Sequence, residues 1–293
     1  MKKTINAICY ISLLFLGMYL AVYQITISSI SEEHVISSTI SGVLISLHFA
    51  GIMLAPAIFG EISDRRGKKP VVIISFIIFI TGLLLVYFFD LIVLIAVGIF
   101  LIGCGFGVIE GLLSGLLADI NVEKTSQVIN ISQMYFSIGA VIGPVAAVWI
   151  IDALGGWKQN YIVLTVIFFL LLLVILKLDF GKVGLAETEE SKVIEKSGPI
   201  SLLLLKQKTF FLLCLSIFVY VGIEEASAFW VNTYFRDVLN TEKLGAYALS
   251  GYWGSMAVGR YISDIHKPAF TNILLFSSNL LPIYLPTAIL PQY

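Results

Sequence analysis

Glu110, Glu224 and Glu225 each sit inside long apolar runs, LIGCGFGVIEGLLSGLLAD at 101–119 and YVGIEEASAFWVNTYF at 220–235. An ionised side chain deep in a lipid-crossing helix costs about 2.5 kcal/mol or more unless it faces a cavity or a partner. Acids retained there are therefore functional candidates, suited to loading and releasing a proton or to holding a polar solute. Glu110 follows Gly103 by seven residues, about 20° from it on the helix, so it is expected to face the same neighbour as that glycine. Around 224 the polar and aromatic residues are periodic: Tyr220, Glu224, Ser227 and Tyr234 fall within about 40° of one helical face. Such a stripe suits a hydroxyl-rich ligand.

Other chemistries fit less well. GCGFGV resembles a dinucleotide fingerprint, but the third glycine falls on Val108 and no strand precedes it. Cys9, Cys104 and Cys214 lie in apolar runs without CxxC or Cys/His spacing and read as packing residues. No HExxH or GxSxG occurs. No enzyme activity, metal or cofactor is expected, and a net charge of −1 gives no basic field for nucleic acid.

The elements that position these residues are membrane helices. Of 293 residues, 58% are hydrophobic and 13% charged, and the mean hydropathy is +0.97. A crossing needs about 20 apolar residues. The sequence places an all-α polytopic protein with eight spans near 7–29, 39–62, 70–89, 91–118, 127–153, 158–178, 209–235 and 244–264, and a weaker ninth at 268–290. The N-terminal apolar run is too long for a signal core and lacks a cleavage site, so it reads as an uncleaved first span. With a cytoplasmic N-terminus, 15 of the 18 basic residues fall on that side, leaving Lys158, Arg236 and Lys243 outside. The organisation is a six-helix half at 1–178, a charged cytoplasmic linker at 179–208 and a shorter second half at 209–293.

The turn GEISDRRGKKP at 60–70 concentrates charge between two oily spans. Gly60 and Asp64 share a face, Gly67 can end the helix, and Lys68, Lys69 and Pro70 open the next. This stretch resembles the loop between the second and third spans of the major facilitator superfamily, matched at Gly60, Asp64, Arg65, Gly67, Lys68 and Lys69. The resemblance implies a conformational latch between two six-helix halves, with the carboxylate near the positive end of a facing helix. NISQMYFSIGAVIGPVAAVWI at 130–150 is similar to the fifth-span motif often associated with antiporters, with Gly139, Gly143 and Pro144 in place, although Ala147 and Val148 stand where the full motif has glycines. The seventh span, through Tyr220, Gly222, Glu224, Ser227, Trp230 and Tyr234, resembles fucose permease-like sugar transporters. WGSMAVGRYISD at 253–264 resembles that branch's eighth span, with Arg260 at the half interface.

The resemblance implies proton-linked transport of a small polar, sugar-like solute by alternating access across the plasma membrane, with protons and lipid as the other partners. Glu110 is the expected proton site. Tyr23, Gln24, Gln133, Glu224, Ser227, Trp230 and Asn232 are expected to line the midplane cavity. The first span offers Tyr23, Gln24 and Thr26 but none of the acid that such transporters tend to carry there. His48 reads as a structural histidine with its hydrogen bonds satisfied, proton coupling being the alternative. Beyond Asp264 the resemblance stops, and the expectation is a C-terminally shortened transporter with an unrelated tail at 265–293. Efflux by antiport, or a fragment that self-associates and transports nothing, are the competing readings.

Overall fold

The computed structural model describes residues 2–178 and 207–265. Eight helices stand where eight spans are expected: α1 Lys2–Glu33, α2 Ser38–Arg66, α3 Lys68–Phe88, α4 Ile92–Ile120, α5 Thr125–Leu154, α6 Gln159–Lys177, α7 Lys208–Asp237 and α8 Glu242–Ile265. Seven of these, α1 to α7, are long and apolar enough to cross a bilayer. The eighth is 24 residues long, but its glycines, serines and terminal charges make it more polar than the rest. The weaker ninth stretch, the tail beyond 265 and most of the 179–208 linker lie outside the described residues.

Lipid tails are as apolar as leucine, so helices in a membrane associate through close packing and hydrogen bonds rather than hydrophobic exclusion. Small residues supply the close packing. Gly139 and Gly143 of α5 fit against α1: a Cβ on Gly139 would lie 1.8 Å from the Leu14 carbonyl oxygen, and one on Gly143 would lie 2.8 Å from that of Met18. Gly17 of α1 is equally tight against Phe136. On the other side of the bundle, Gly103 and Gly107 press α4 onto the backbone of α2 at His48 and Ile52. The four-residue glycine repeat of α4 is thus a helix contact for half its length. Gly111 has open space beside it, and Gly115 meets only the Lys68 ammonium. Gly60 likewise has no neighbour within 4 Å among the described residues.

The ends of the bundle are tied by polar contacts. At the basic end, Gly67 takes φ +86°, closing α2 through its N–H to the Ser63 carbonyl at 2.8 Å and starting α3 at the next residue. Lys68 pairs with Asp119 at the end of α4, and Lys69 donates to the Leu176 carbonyl of α6 at 3.2 Å. At the opposite end Trp157 donates to Glu33 at 2.5 Å, and Lys158 pairs with Asp90 in the α3–α4 turn. Lys243 reaches Asp152 at 3.1 Å, docking the start of α8 on the end of α5.

The Lys158 ammonium, by hydrogen bond and by charge, holds the Asp90 carboxyl below its usual range. A carboxyl whose folded pKa is depressed adds stability above its unfolded value and loses it as pH falls through the folded one. Asp90→Asn is therefore expected to lower Tm slightly at pH 7 and to leave it unchanged at a pH acid enough to protonate both forms. Thermal unfolding at both pH values checks this; a difference that is the same at each would oppose it.

Candidate functional site

The middle of α1 faces the interior on nearly every side, with Tyr19 through Ser28 all buried. Buried polar groups are usually matched by protein, and those of Thr26 and Gln24 are. Thr26 Oγ1 shares a hydrogen bond with the Tyr161 hydroxyl at 3.0 Å and also donates to the Val22 carbonyl. Gln24 is fully buried and reaches beyond α1–α6 to α7 and α8. Its amide Nε2 donates to Glu225 Oε2 of α7 at 3.1 Å, and its Oε1 accepts from Trp253 Nε1 of α8 at 3.0 Å. An indole N–H can only donate, so Trp253 fixes which end of the amide is oxygen and turns the NH2 toward the carboxylate.

Removing Gln24 leaves the fully buried Trp253 indole N–H without this acceptor, at about 1–3 kcal/mol. Gln24→Leu is expected to lower Tm measurably, and Trp253→Phe added to it to recover part of the loss, because the orphaned indole N–H is then gone too. A thermal double-mutant cycle checks this; losses that simply add would oppose it.

The face of α7 turned to the first half is Glu225, Ala228 and Phe229. Phe229 packs edge-on against Tyr23 of α1, centroids 5.3 Å apart, and against Phe49 of α2 at 5.9 Å. Glu224 is also buried, and its carbonyl accepts from the Tyr252 hydroxyl at 3.0 Å. The rest of the expected stripe is turned out among the described residues: Tyr220 and Tyr234 are exposed, and Ser227 donates to its own helix at Ile223. Glu225, the neighbour of the expected Glu224, is a carboxylate that engages α1.

Between α1, α2 and α7 lies a cavity of about 240 Å³, walled by Ser28, Ser31, Glu32, Ser41, Phe229, Trp230 and Thr233 among others. Ser31 and Ser41 share a hydrogen bond at 2.7 Å. Of the expected lining residues only Trp230 is here. Tyr23 and Gln24 lie deeper, Gln133 is half-buried on α5 where its carbonyl accepts from Ser137 at 2.9 Å, and the Asn232 side chain lies outside the described residues. Glu110 is half-buried on α4, among the buried Phe106, Ile109 and Leu113. The hydroxyls of the cavity went unread in the sequence, although the i, i+3 spacings Ser28–Ser31 and Ser38–Ser41 carried a signal for them.

His48 departs from expectation. It is fully buried, and neither ring nitrogen finds a hydrogen-bond partner among the described residues. Its imidazole packs among the rings of Tyr19, Tyr23, Phe49 and Phe106; apolar packing holds the ring, and no polar contact satisfies it. Cys214 is likewise exposed rather than packed, while Cys9 is buried. In the charged turn Asp64 is exposed, Arg65 pairs with Glu61 at 2.6 Å on the surface, and the Arg260 side chain lies outside the described residues.

The family model described as Major Facilitator Superfamily matches residues 9–291. That match runs through the 265–291 stretch, where the sequence reading saw the resemblance stop. Among curated proteins, the protein TsgA homolog of Buchnera aphidicola subsp. Acyrthosiphon pisum (strain APS) is 22% identical over 257 residues, covering 87% of this chain and 64% of its own length. The uncharacterized MFS-type transporter YfiU of Bacillus subtilis (strain 168) is 26% identical over 205 residues, 64% of this chain and 37% of that protein. The fold is similar to a partially occluded inward-open conformation of the xylose transporter XylE from E. coli, with TM-score 0.54 and 13% identity, covering 96% of this chain and 71% of that one. This chain spans 64% of the TsgA homolog's length.

Proposed function

The chain belongs to the Major Facilitator Superfamily, whose members are membrane transporters and not enzymes, and from that premise we propose that it moves a small, uncharged, sugar-like solute by alternating access, coupled to a proton at Glu110. The observation that carries the reading is Gln24, a fully buried amide in the first half, hydrogen-bonded to both α7 and α8 of the second. A polar junction between halves, in a protein that must separate them, belongs where solute passes. The hydroxyl-lined cavity beside it, with Trp230 as an aromatic wall, has the mix of donors, acceptors and flat apolar surface that sugars take. The seventh-span pattern supports the same class through its likeness to fucose permease-like transporters. In this reading the protein lies in the plasma membrane with Lys2 and the Gly67 turn on the cytoplasmic side, and Asp64 serves the latch between halves.

The close Gly139 and Gly143 crossing of α5 on α1 favours a second reading, efflux by antiport, because that motif is the one associated with antiporters. One experiment separates them. Proteoliposomes holding the full chain are given an imposed pH gradient and labelled D-xylose or L-fucose; accumulation on the acid-to-alkaline axis supports symport, and expulsion supports antiport. No flux of either sugar under either gradient sinks the proposal.

A further inference from the structure

Three polar side chains on α1 and α2 are fully buried, and none finds a hydrogen-bond partner among the described residues: the hydroxyls of Tyr19 and Tyr23, and both nitrogens of His48. They form one cluster. The His48 ring lies 5.0 Å from that of Tyr23 and 5.8 Å from that of Tyr19, and the two tyrosines stack at 6.3 Å with planes 6° apart. Buried polar groups are nearly always matched, and each that is not carries a desolvation cost. Four unmatched atoms gathered in one place, on α1 held close by the glycines of α5 and on α2 held close by those of α4, are more than scattered packing defects.

The chemistry of the cluster selects its ligand. Two phenols and a neutral imidazole offer both donors and acceptors, the complement of hydroxyl groups, which are both as well. The rings in contact with the cluster, Phe49, Phe79, Phe106 and Phe229, are all uncharged aromatics. They suit the C–H faces of a polyol and give an ion no counter-charge. Phe229 both packs on Tyr23 and walls the hydroxyl-lined cavity, so one ring touches both the cluster and the cavity.

We infer that Tyr19, Tyr23 and His48 form a hydrogen-bonding subsite for the hydroxyls of an uncharged solute, with His48 of α2 as a specificity-determining residue. The subsite rests on the transport reading for its access, since Phe229 must move with α7, but binding to it is measurable without flux.

The test is thermal unfolding of the full chain in detergent, titrated with D-xylose, D-mannitol and, as an anionic control, gluconate. The neutral polyols are expected to raise Tm by roughly 2–4 °C at saturation, and gluconate to leave it unchanged. Tyr23→Phe and His48→Phe are expected to weaken the apparent affinity at least about tenfold while their unliganded Tm stays level or rises, because each removes an unmatched polar atom and keeps an aromatic ring. A merely structural role predicts the reverse: lower Tm and unchanged affinity. If His48→Phe fails to fold, Tyr19→Phe and Tyr23→Phe, which each delete one oxygen, decide the matter. No response to either polyol, an equal response to gluconate, or full affinity in the tyrosine variants overturns the proposal. Polyol binding lost in Tyr23→Phe in a protein without flux would keep the subsite and discard transport; flux with unaltered affinity in the variants would do the opposite.

Discussion

Gly139→Leu is expected to abolish the folded protein. A Cβ at this position would stand 1.8 Å from the Leu14 carbonyl oxygen, 2.8 Å from its carbon and 2.9 Å from the Met18 nitrogen. All three are backbone atoms, so no rotamer change relieves the clash; α1 and α5 must part. In the bundle that separation also undoes the Gly17 and Gly143 contacts, which belong to the same crossing. Overpacking a core costs typically about 1–3 kcal/mol when side chains can yield, and here they cannot. The matched control is Gly111→Leu on α4, an exposed helical glycine with open space beside it, where replacing glycine gains up to about 1 kcal/mol of helix propensity. The yield of monodisperse protein after extraction, with thermal unfolding of what is recovered, measures both. Gly139→Leu recovered at wild-type yield and Tm would show that the crossing is looser than described.

Glu110→Gln is expected to uncouple transport while leaving the fold intact. The residue is half-buried on α4 beside the fully buried Ile109, in a helix whose length and apolarity suit a membrane crossing. The amide is nearly isosteric and keeps donor and acceptor capacity, but it cannot take up and release a proton. A pH gradient of one unit is worth about 1.4 kcal/mol per proton, or tenfold solute accumulation at a stoichiometry of one. The variant is expected to reach no accumulation under that gradient, yet to exchange internal for external solute at a rate comparable with the wild type. Accumulation and equilibrium exchange, both measured in proteoliposomes, divide the outcomes. Persistent accumulation by the variant assigns the proton to another group, and loss of exchange as well assigns Glu110 to solute binding.

Much of the architecture was legible in the sequence because it depends on local patterns. Apolar run length located all eight helices, and Gly67 marked the break between α2 and α3 through its positive φ. The Gly139 and Gly143 pair marked the α1–α5 crossing, since only a glycine surface lets backbones meet. What spacing could not supply was the partner. The α4 glycines carry the same repeat along their length, but among the described residues Gly103 and Gly107 meet α2 while Gly111 and Gly115 do not. The bond from Gln24 to Glu225 joins residues 201 apart. Periodicity ranked Glu224 with Tyr220 and Ser227 on one face but did not say that the adjacent face, with Glu225 and Phe229, would turn to α1. His48 was misread for a related reason: one polar residue in a span shows its own chemistry but not whether its neighbours can answer it.

The indole of Trp253 is fully enclosed and tied to Gln24 across the junction of the two halves. The other three tryptophans have different settings: Trp149 and Trp230 are 68% and 46% exposed, and Trp157 is fastened to Glu33 within the first half. Emission from Trp253 is therefore sensitive to whether its indole stays tied to Gln24 of α1. With Trp149, Trp157 and Trp230 replaced by phenylalanine, the protein carries a single native chromophore whose colour reads the opening of the junction, shifting to the red as water reaches the indole, without any attached dye.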